Sequence, residues 1–393
     1  MLKHIYITSA VRTAIGSFGG SLKDVSAVDL AAQVFCEAMK RAGLRGDQID
    51  EVILGNVLQS GMGMNPARQA ALKASIPETV PSHTVNKVCG SGLKAITLAC
   101  QAIQSDDASV IVAGGTESMS NAPYLLTQAR WGYRMGPGTL LDSLLNEGLT
   151  CAMEHVHMGI TAENIAKRYK ISRELQDSFA ATSQARAAAA RAEGKFRNEI
   201  VPVKIQTKKG ETVFQEDEYI RAGTTVEKLA QLRPAFDKDG TVTPGNASGI
   251  NDGAAAVSVM SEEKLKALGK QPIARVLAYA SGAVDPAVMG MGPVPAVKRV
   301  LEKAGLRASD IDLFELNEAF AVQSLAVLEE LQLDPAIVNV HGGAIALGHP
   351  IGCSGARILT TLLYAMQDRG ARRGLAGLCI GGGQGIAMIV ERA

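Results

Sequence analysis

Ala42-Gly43-Leu44-Arg45-Gly46-Asp47-Gln48-Ile49-Asp50 returns 262 residues later as Ala304-Gly305-Leu306-Arg307-Ala308-Ser309-Asp310-Ile311-Asp312. Each copy follows a segment of helical period, 31–41 or 294–303, and precedes an apolar run, Val52-Ile53-Leu54 or Leu313-Phe314. Self-similarity at a fixed offset marks a duplicated fold. A second match lies at nearly the same offset: Cys89-Gly90-Ser91-Gly92-Leu93-Lys94 against Gly352-Cys353-Ser354-Gly355-Ala356-Arg357. Each opens a helix with apolar positions at helical spacing, such as Leu93, Ile96, Cys100 and Ile103. Each helix leads to a strand that ends in glycines, Val110 to Gly115 or Leu378 to Gly383.

The halves then part. In the second, the glycine turn leads straight into Ile386-Ala387-Met388-Ile389-Val390, a hairpin-like return. In the first, the comparable strand, Ala254 to Met260, comes only after a long excursion. Residues 119–247 therefore read as an insert, with helical stretches at 162–170 and at 173–193 behind a Ser172 cap, and charged, loop-like sequence over 206–240. The expected fold class is α/β: a duplicated α-β-α-β-α layered core with an inserted loop domain. One core half spans 1–118 plus 248–271 and the other 272–393, stacked about a pseudo-twofold axis. Ligands in such folds gather at strand ends and glycine-rich turns, so a site between the halves is expected.

Bulk composition narrows the function. With 393 residues and 47% hydrophobic content, the chain can bury a large core, and at 4% aromatic that core is mostly Ala, Val, Ile and Leu. A net charge of +1 argues against a nucleic-acid or membrane-surface role. No apolar run approaches the roughly 20 residues of a membrane span. The opening Met1-Leu2-Lys3-His4-Ile5-Tyr6-Ile7 reads as a strand rather than a signal or transit peptide. Six cysteines without a CxxC pair suggest neither a disulfide framework nor a zinc site, and fit a reducing cytoplasm.

Three turns carry chemistry. Cys89 stands where a strand gives way to a helix, a place that favours thiolate, with Gly90 and Gly92 letting backbone N–H groups approach its sulfur. His349 lies in Gly348-His349-Pro350-Ile351-Gly352, and Cys379 ends an apolar strand before Gly381-Gly382-Gly383. A nucleophilic thiol, a histidine to activate it and a second thiol to move a proton make acyl transfer through a thioester, followed by carbon–carbon bond making or breaking. For each residue taken alone, a core or structural role competes. Asn317 ends a strand where its repeat partner is Gly55; it suits a polar contact to a carbonyl or water, or a helix cap.

Elsewhere, His155 and His157 lack further ligands at metal-binding spacing. Met158 and Met289-Gly290-Met291-Gly292 suit the lining of a small pocket, or plain core. Arg221, Lys204, Lys208 and Lys209 form a solvated face that a phosphate-bearing ligand can use. Asn246 to Gly253 is a polar, glycine-punctuated loop suited to close approach by a ligand. Cys36 and Cys100 read as helix residues on apolar faces, Cys151 keeps a structural reading, and Cys353, in the Gly352–Gly355 turn, can be exposed.

Together, Ser9 to Thr13, Asn65 to Gln69, Asn86 to Gly92, Asn246 to Gly253, Asn317 to Phe320, Gly342 to Gly352 and Cys379 to Gly385 resemble the thiolases from first strand to last. His157-Met158-Gly159 and Met289 to Pro293 resemble the short-chain, biosynthetic branch, which acts on acetyl-CoA, acetoacetyl-CoA and CoA. The resemblance implies that Cys89 takes the acetyl group, that His349 activates it, and that Cys379 is the acid/base at the α-carbon. Asn317 would position a water that, with His349, forms one oxyanion hole; the N–H groups of Cys89 and Gly381 would form the other. Leu149, His157, Met158, Arg221, Phe236, Ser248 and Ile250 would lie near CoA, and Met289, Ala319 and Phe320 would line the acyl pocket. No metal and no cofactor are implied, CoA being substrate and product. Residues 120–145 resemble the loop that pairs dimers into a homotetramer. Two departures, His341 for a common Asn and Cys353 for a common Ala, leave the catalytic set intact. The alternative is a degradative 3-ketoacyl-CoA thiolase of broader chain length. A non-catalytic acyl-CoA-binding module on the same scaffold is a third reading, disfavoured by the intact thiol and histidine set.

Overall fold

In the computed structural model, residues 3–207 and 210–393 are described. Lys208, Lys209, Met1 and Leu2 of the sequence reading lie outside them. The duplication is visible residue by residue. The helix Ala27–Ala42 ends on left-handed Gly43, and Pro293–Ala304 ends on left-handed Gly305. Each is followed by a short 3-10 turn behind Arg45 or Arg307, then by the strand Glu51–Gly55 or Leu313–Leu316. Glycine supplies the positive φ that ends both helices.

One sheet runs through both halves. Its order is Leu313–Leu316, Arg373–Ile380, Gln384–Arg392, Ala274–Ala283, then Ile5–Thr13, Asn251–Ser261, Val110–Ser118, Glu51–Gly55 and Ser82–Val85. The halves join where Ile5, Tyr6 and Ile7 pair antiparallel with Val276, Arg275 and Ala274. The strands on either side of that joint both carry a register shift, between Ile7 and Ser9 and between Val276 and Ala278. The hairpin of the second half turns tightly through Gly382 and Gly383, both at positive φ. The matching pair of the first half, Val110–Ser118 with Asn251–Ser261, pairs Ser118 with Asp252, and the chain between them leaves the sheet, returning only where Ile200 and Val201 pair parallel with Arg12 and Thr13.

Side chains alternate across each strand and sort the core into layers. Val110 and Val112 pack outward on the helix Ala27–Ala42, whereas Ile111 and Ala113 pack inward on Leu93, Ile96, Leu359 and Leu362. The second half does the same, with Leu375 and Ile389 facing Val297 and Val300 while Leu378 and Met388 face the centre. The middle layer is thus the helix pair Ser91–Gln104 and Ile351–Arg369. They cross on glycine: a Cβ on Gly92 would stand 2.8 Å from the Ala356 nitrogen, and one on Gly355 would stand 2.4 Å from that of Leu93. Any larger side chain would force the helix axes apart.

The excursion holds the helices Met158–Tyr169 and Arg173–Ala192, the latter capped by Ser172. Its 206–240 part, expected as loop, also holds the strand Gly210–Phe214 and the short helix Val226–Ala230. Met158, Ala162 and Ile165 pack on Val288, Met289, Val322 and Cys379, so the excursion covers the opposite half. Two cysteine expectations are corrected. Cys36 is exposed on the flank of its helix, and Cys353 is buried at 1% because the central helices close over it. No helix among the described residues is long and apolar enough to cross a membrane.

Candidate active site

The Cys89 turn is held tight locally. Val88 sits at φ 47°, a costly left-handed position for a β-branched residue. Asn86 Oδ1 accepts from Val88 N–H at 2.9 Å. Ser91 Oγ accepts from Lys87 N–H at 2.8 Å and donates to the Val88 carbonyl at 2.6 Å. Across the halves, Lys87 Nζ donates to Gln384 Oε1 at 2.7 Å. The Gly381 N–H donates to the Cys89 sulfur. Against the expectation of a low-pKa thiol, burial pushes Cys89 up to about 11, even though the Gly381 N–H and its own pull the other way. Desolvation in an apolar cleft outweighs the helix end, and the resting thiol holds its proton.

His349 is buried on the turn before the helix Ile351–Arg369. Its backbone N–H donates to Asn251 Oδ1 at 2.9 Å, and Asn251 Nδ2 donates to the Gly16 carbonyl at 3.0 Å. Its ring Nδ1 lies 2.5 Å from Ser354 Oγ. Burial, and then the positive charge of Arg357, pushes the imidazole down to about 3, so it rests neutral. Cys379 is fully buried, and burial followed by the neighbouring Cys89 raises its thiol pKa as well. Two protonated thiols and a neutral imidazole therefore face one another.

Asn317 completes this group from the end of the strand Leu313–Leu316. Its Nδ2 lies 3.4 Å from His349 Nδ1 and 3.5 Å from Nε2, while its Oδ1 is buried without a partner among the described residues. It caps no helix; the next one starts behind Phe320. The repeat explains the contrast with Gly55, where a Cβ would stand 2.4 Å from the Ser91 carbonyl carbon. The helix that follows Cys89 occupies that space in the first half.

A cavity of about 500 Å³ opens onto Cys89, His349 and Cys379. Leu149, His157, Met158, Arg221, Phe236, Ser248, Ile250, Met289, Ala319 and Phe320 line it together; Asn317 and Gly381 are not among its lining residues. His157 caps its helix through Nδ1, which accepts from Gly159 N–H at 3.0 Å, so Nε2 carries the proton. Its ring stacks on Phe236 at 4.6 Å, and Phe236 meets Phe320 edge-on at 6.3 Å. The Asn246–Gly253 loop docks through Ser248 N–H to the Ala319 carbonyl at 3.0 Å. At the mouth, Arg221 is exposed over the Tyr219 ring. Lys204 points elsewhere, paired with Glu211 at 3.2 Å. Among the described residues no cluster of His, Cys, Asp and Glu is arranged to hold a metal ion.

Residues 5–263 match the family described as "Thiolase, N-terminal domain", and residues 270–392 match "Thiolase, C-terminal domain". The chain belongs to the thiolase family. Among curated relatives, this thiolase is 61% identical to the acetyl-CoA acetyltransferase of Escherichia coli K12 and 57% identical to that of Pseudomonas aeruginosa PAO1, each over 100% of both chains. Among solved structures, it superposes on the Bacillus anthracis acetyl-CoA acetyltransferase with a TM-score of 0.98 at 48% identity, covering 100% of this chain and 99% of the other. The Syntrophomonas wolfei acetyl-CoA acetyltransferase gives 0.98 at 42% identity over 100% of both.

Sequence reading of this thiolase missed part of the cavity. Ser17, Phe18, Met119, Tyr219 and Pro244 also line it. Tyr219 is two residues from Arg221 and was open to the same argument. Phe18, 56% exposed between Ser17 and Gly19, carried the signal of an aromatic in a glycine loop. Glu117 was missed altogether. It is fully buried and accepts from Asn56 Nδ2 at 2.8 Å and from the N–H groups of Val57 and Leu58 at 3.1 Å and Gly352 at 2.9 Å. It ties the first half to the turn that leads out of His349.

Proposed function

We propose that this thiolase is an acetyl-CoA acetyltransferase, condensing two acetyl-CoA to acetoacetyl-CoA and CoA and running the reverse thiolysis. The observation that carries the reading is the convergence of Cys89, His349 and Cys379, from both halves, on one apolar cavity. Full-length similarity to acetyl-CoA acetyltransferases supports it.

The protonation states dictate the order of events. Cys89 attacks the thioester while His349 takes its proton, because the resting thiol is not ionised. The departing CoA thiolate takes the Cys379 proton and leaves as CoA. The acetyl-enzyme then holds a Cys379 thiolate beside a His349 imidazolium. That thiolate removes an α-proton from the second acetyl-CoA. The enolate attacks the acetyl carbon, Cys89 sulfur leaves and recovers its proton from His349, and every group is back where it began. The two N–H donors of Cys89 and Gly381 stabilise the tetrahedral oxyanion, and His349 with an Asn317-held water stabilises the enolate. Residues 119–247 serve as the CoA-binding cover, and the exposed Tyr124, Leu126, Trp131 and Met135 serve tetramer assembly in the cytoplasm.

Met158 and Met289, buried and facing the cavity, favour a short acyl chain. The test is thiolysis of acetoacetyl-CoA and 3-ketohexanoyl-CoA at equal concentration with CoA present. A strong preference for the four-carbon substrate supports the reading; comparable rates support the degradative, broad-range thiolase. No turnover on either by folded, reduced protein points to binding without catalysis.

A further inference from the structure

We propose that Ser354 is a positioning residue that fixes His349 in the tautomer with its proton on Nδ1, so that Nε2 is the nitrogen that receives the Cys89 proton. Ser354 is fully buried in the first turn of the helix Ile351–Arg369. Its Oγ lies 2.5 Å from His349 Nδ1 and 2.9 Å from the Pro350 carbonyl. A hydroxyl has one proton, and a carbonyl can only accept. Both contacts are hydrogen bonds only if Oγ–H goes to Pro350 and Nδ1–H goes to Oγ.

The repeat supplies an internal control. Ser91 occupies the matching place in Cys89-Gly90-Ser91-Gly92. Its Oγ also donates back along the helix, to Val88, and accepts from a nitrogen upstream, Lys87 N–H. That nitrogen is a backbone amide and can only donate, so the polarity there is beyond choice. The duplicated turn therefore makes one device twice: a serine that donates backward and accepts from the residue it steadies. In the second copy the imidazole has taken the amide's place. A fixed Nδ1–H leaves Nε2 a lone pair from the first moment of the reaction, with no tautomer exchange before proton transfer.

The proposal rests on His349 as the base, so its test separates the two. In enzyme labelled with nitrogen-15 histidine, the six histidines are resolved and His349 is assigned by its loss in His349→Ala. The expected spectrum has His349 protonated on Nδ1 and bare on Nε2. Ser354→Ala should shift those signals toward the other tautomer and lower kcat/KM by about 10- to 100-fold, the range seen when a metal-bound histidine loses the partner that orients it. Ser354→Thr, which keeps the hydroxyl, should recover most of both. A proton on Nε2 in the wild type overturns the proposal, as does Ser354→Ala retaining kcat/KM within about threefold. So does a rate loss with unmoved His349 signals and no recovery in Ser354→Thr, which assigns the loss to packing. If His349→Ala acetylates Cys89 at the wild-type rate, the reading of His349 itself fails. If it abolishes acetylation while Ser354→Ala is unimpaired, only the role of Ser354 falls.

Discussion

Gly90→Ala should impair catalysis without unfolding the enzyme. A Cβ at Gly90 would stand 2.5 Å from Ile380 Cδ1, 3.0 Å from its Cγ1 and 3.3 Å from Ile386 Cγ2. Ordinary carbon contacts lie at about 3.5–4.0 Å, so something must yield by about 1 Å. Ile380 is fully buried between the central helices and the sheet, so its tip has nowhere cheap to go. It also sits between Cys379 and Gly381 in the chain, so a shift of its backbone carries the second thiol and the N–H that donates to Cys89. Overpacking of this kind costs about 1–3 kcal/mol of stability. A misplacement of about 1 Å at reacting groups costs about 100-fold in rate. We expect kcat/KM for acetoacetyl-CoA thiolysis to fall about 100-fold, with a modest drop in midpoint on urea denaturation. Ile380→Val removes the Cδ1 atom at fault, and the double variant should regain at least about tenfold over Gly90→Ala. Retention of near wild-type kcat/KM by Gly90→Ala, or a double variant no better than the single, would refute the reasoning.

Further outcomes can be checked separately. Cys379→Ala should still acetylate Cys89 from acetyl-CoA, seen as a mass increase of the intact chain, yet lose condensation; near-normal condensation would remove Cys379 from the acid/base role. In Gly159→Ala the new Cβ would stand 2.2 Å from the Phe236 ring, breaking its stack on His157; KM for acyl-CoA should rise more than kcat falls, and an unchanged KM would count against Phe236 as a cavity wall. Burial raises Glu117 to about 7 from the 4.5 of an exposed glutamate. The native state therefore keeps this proton to higher pH than the unfolded chain. Its contribution is full below pH 4.5 and is lost as pH rises through about 7. Relative to Glu117→Gln, which cannot titrate, the wild type should lose about 3 kcal/mol between pH 4.5 and 8; parallel urea midpoints across that range would contradict it.

Much of this was legible because duplication writes structure into sequence twice. Gly43 and Gly305 announced the same helix end, and the excursion showed as the one place where the second copy had a turn and the first did not. The candidate site residues Cys89, His349, Cys379 and Asn317 were legible as occupants of strand ends and turns, which is where the structure places them. What could not be read was environment. A helix N-terminus argues for a thiolate at Cys89, but the desolvation that reverses it comes from residues far off in the chain. Cys36 and Cys353 had their exposure misplaced because helical period says which face is apolar, not which face a neighbour covers. Glu117 hid in an ordinary strand, since its four donors come from two other segments.

The Gly92–Gly355 crossing gives the enzyme a datum plane. The distance between the helix that follows Cys89 and the helix that follows His349 is set by main chain against main chain, without an intervening side chain to swell, rotate or drift. The cavity walls come from several other segments, Ser17 and Phe18, the excursion, and Met289, Ala319 and Phe320 among them, and no lining residue takes part in that crossing. Under the proposed function, reactivity and substrate preference thus rest on separate contacts. On that reading the walls, Met158 of the excursion and Met289 of the core alike, can be recut for a longer or bulkier acyl group while the spacing of Cys89 to His349 stays in tolerance.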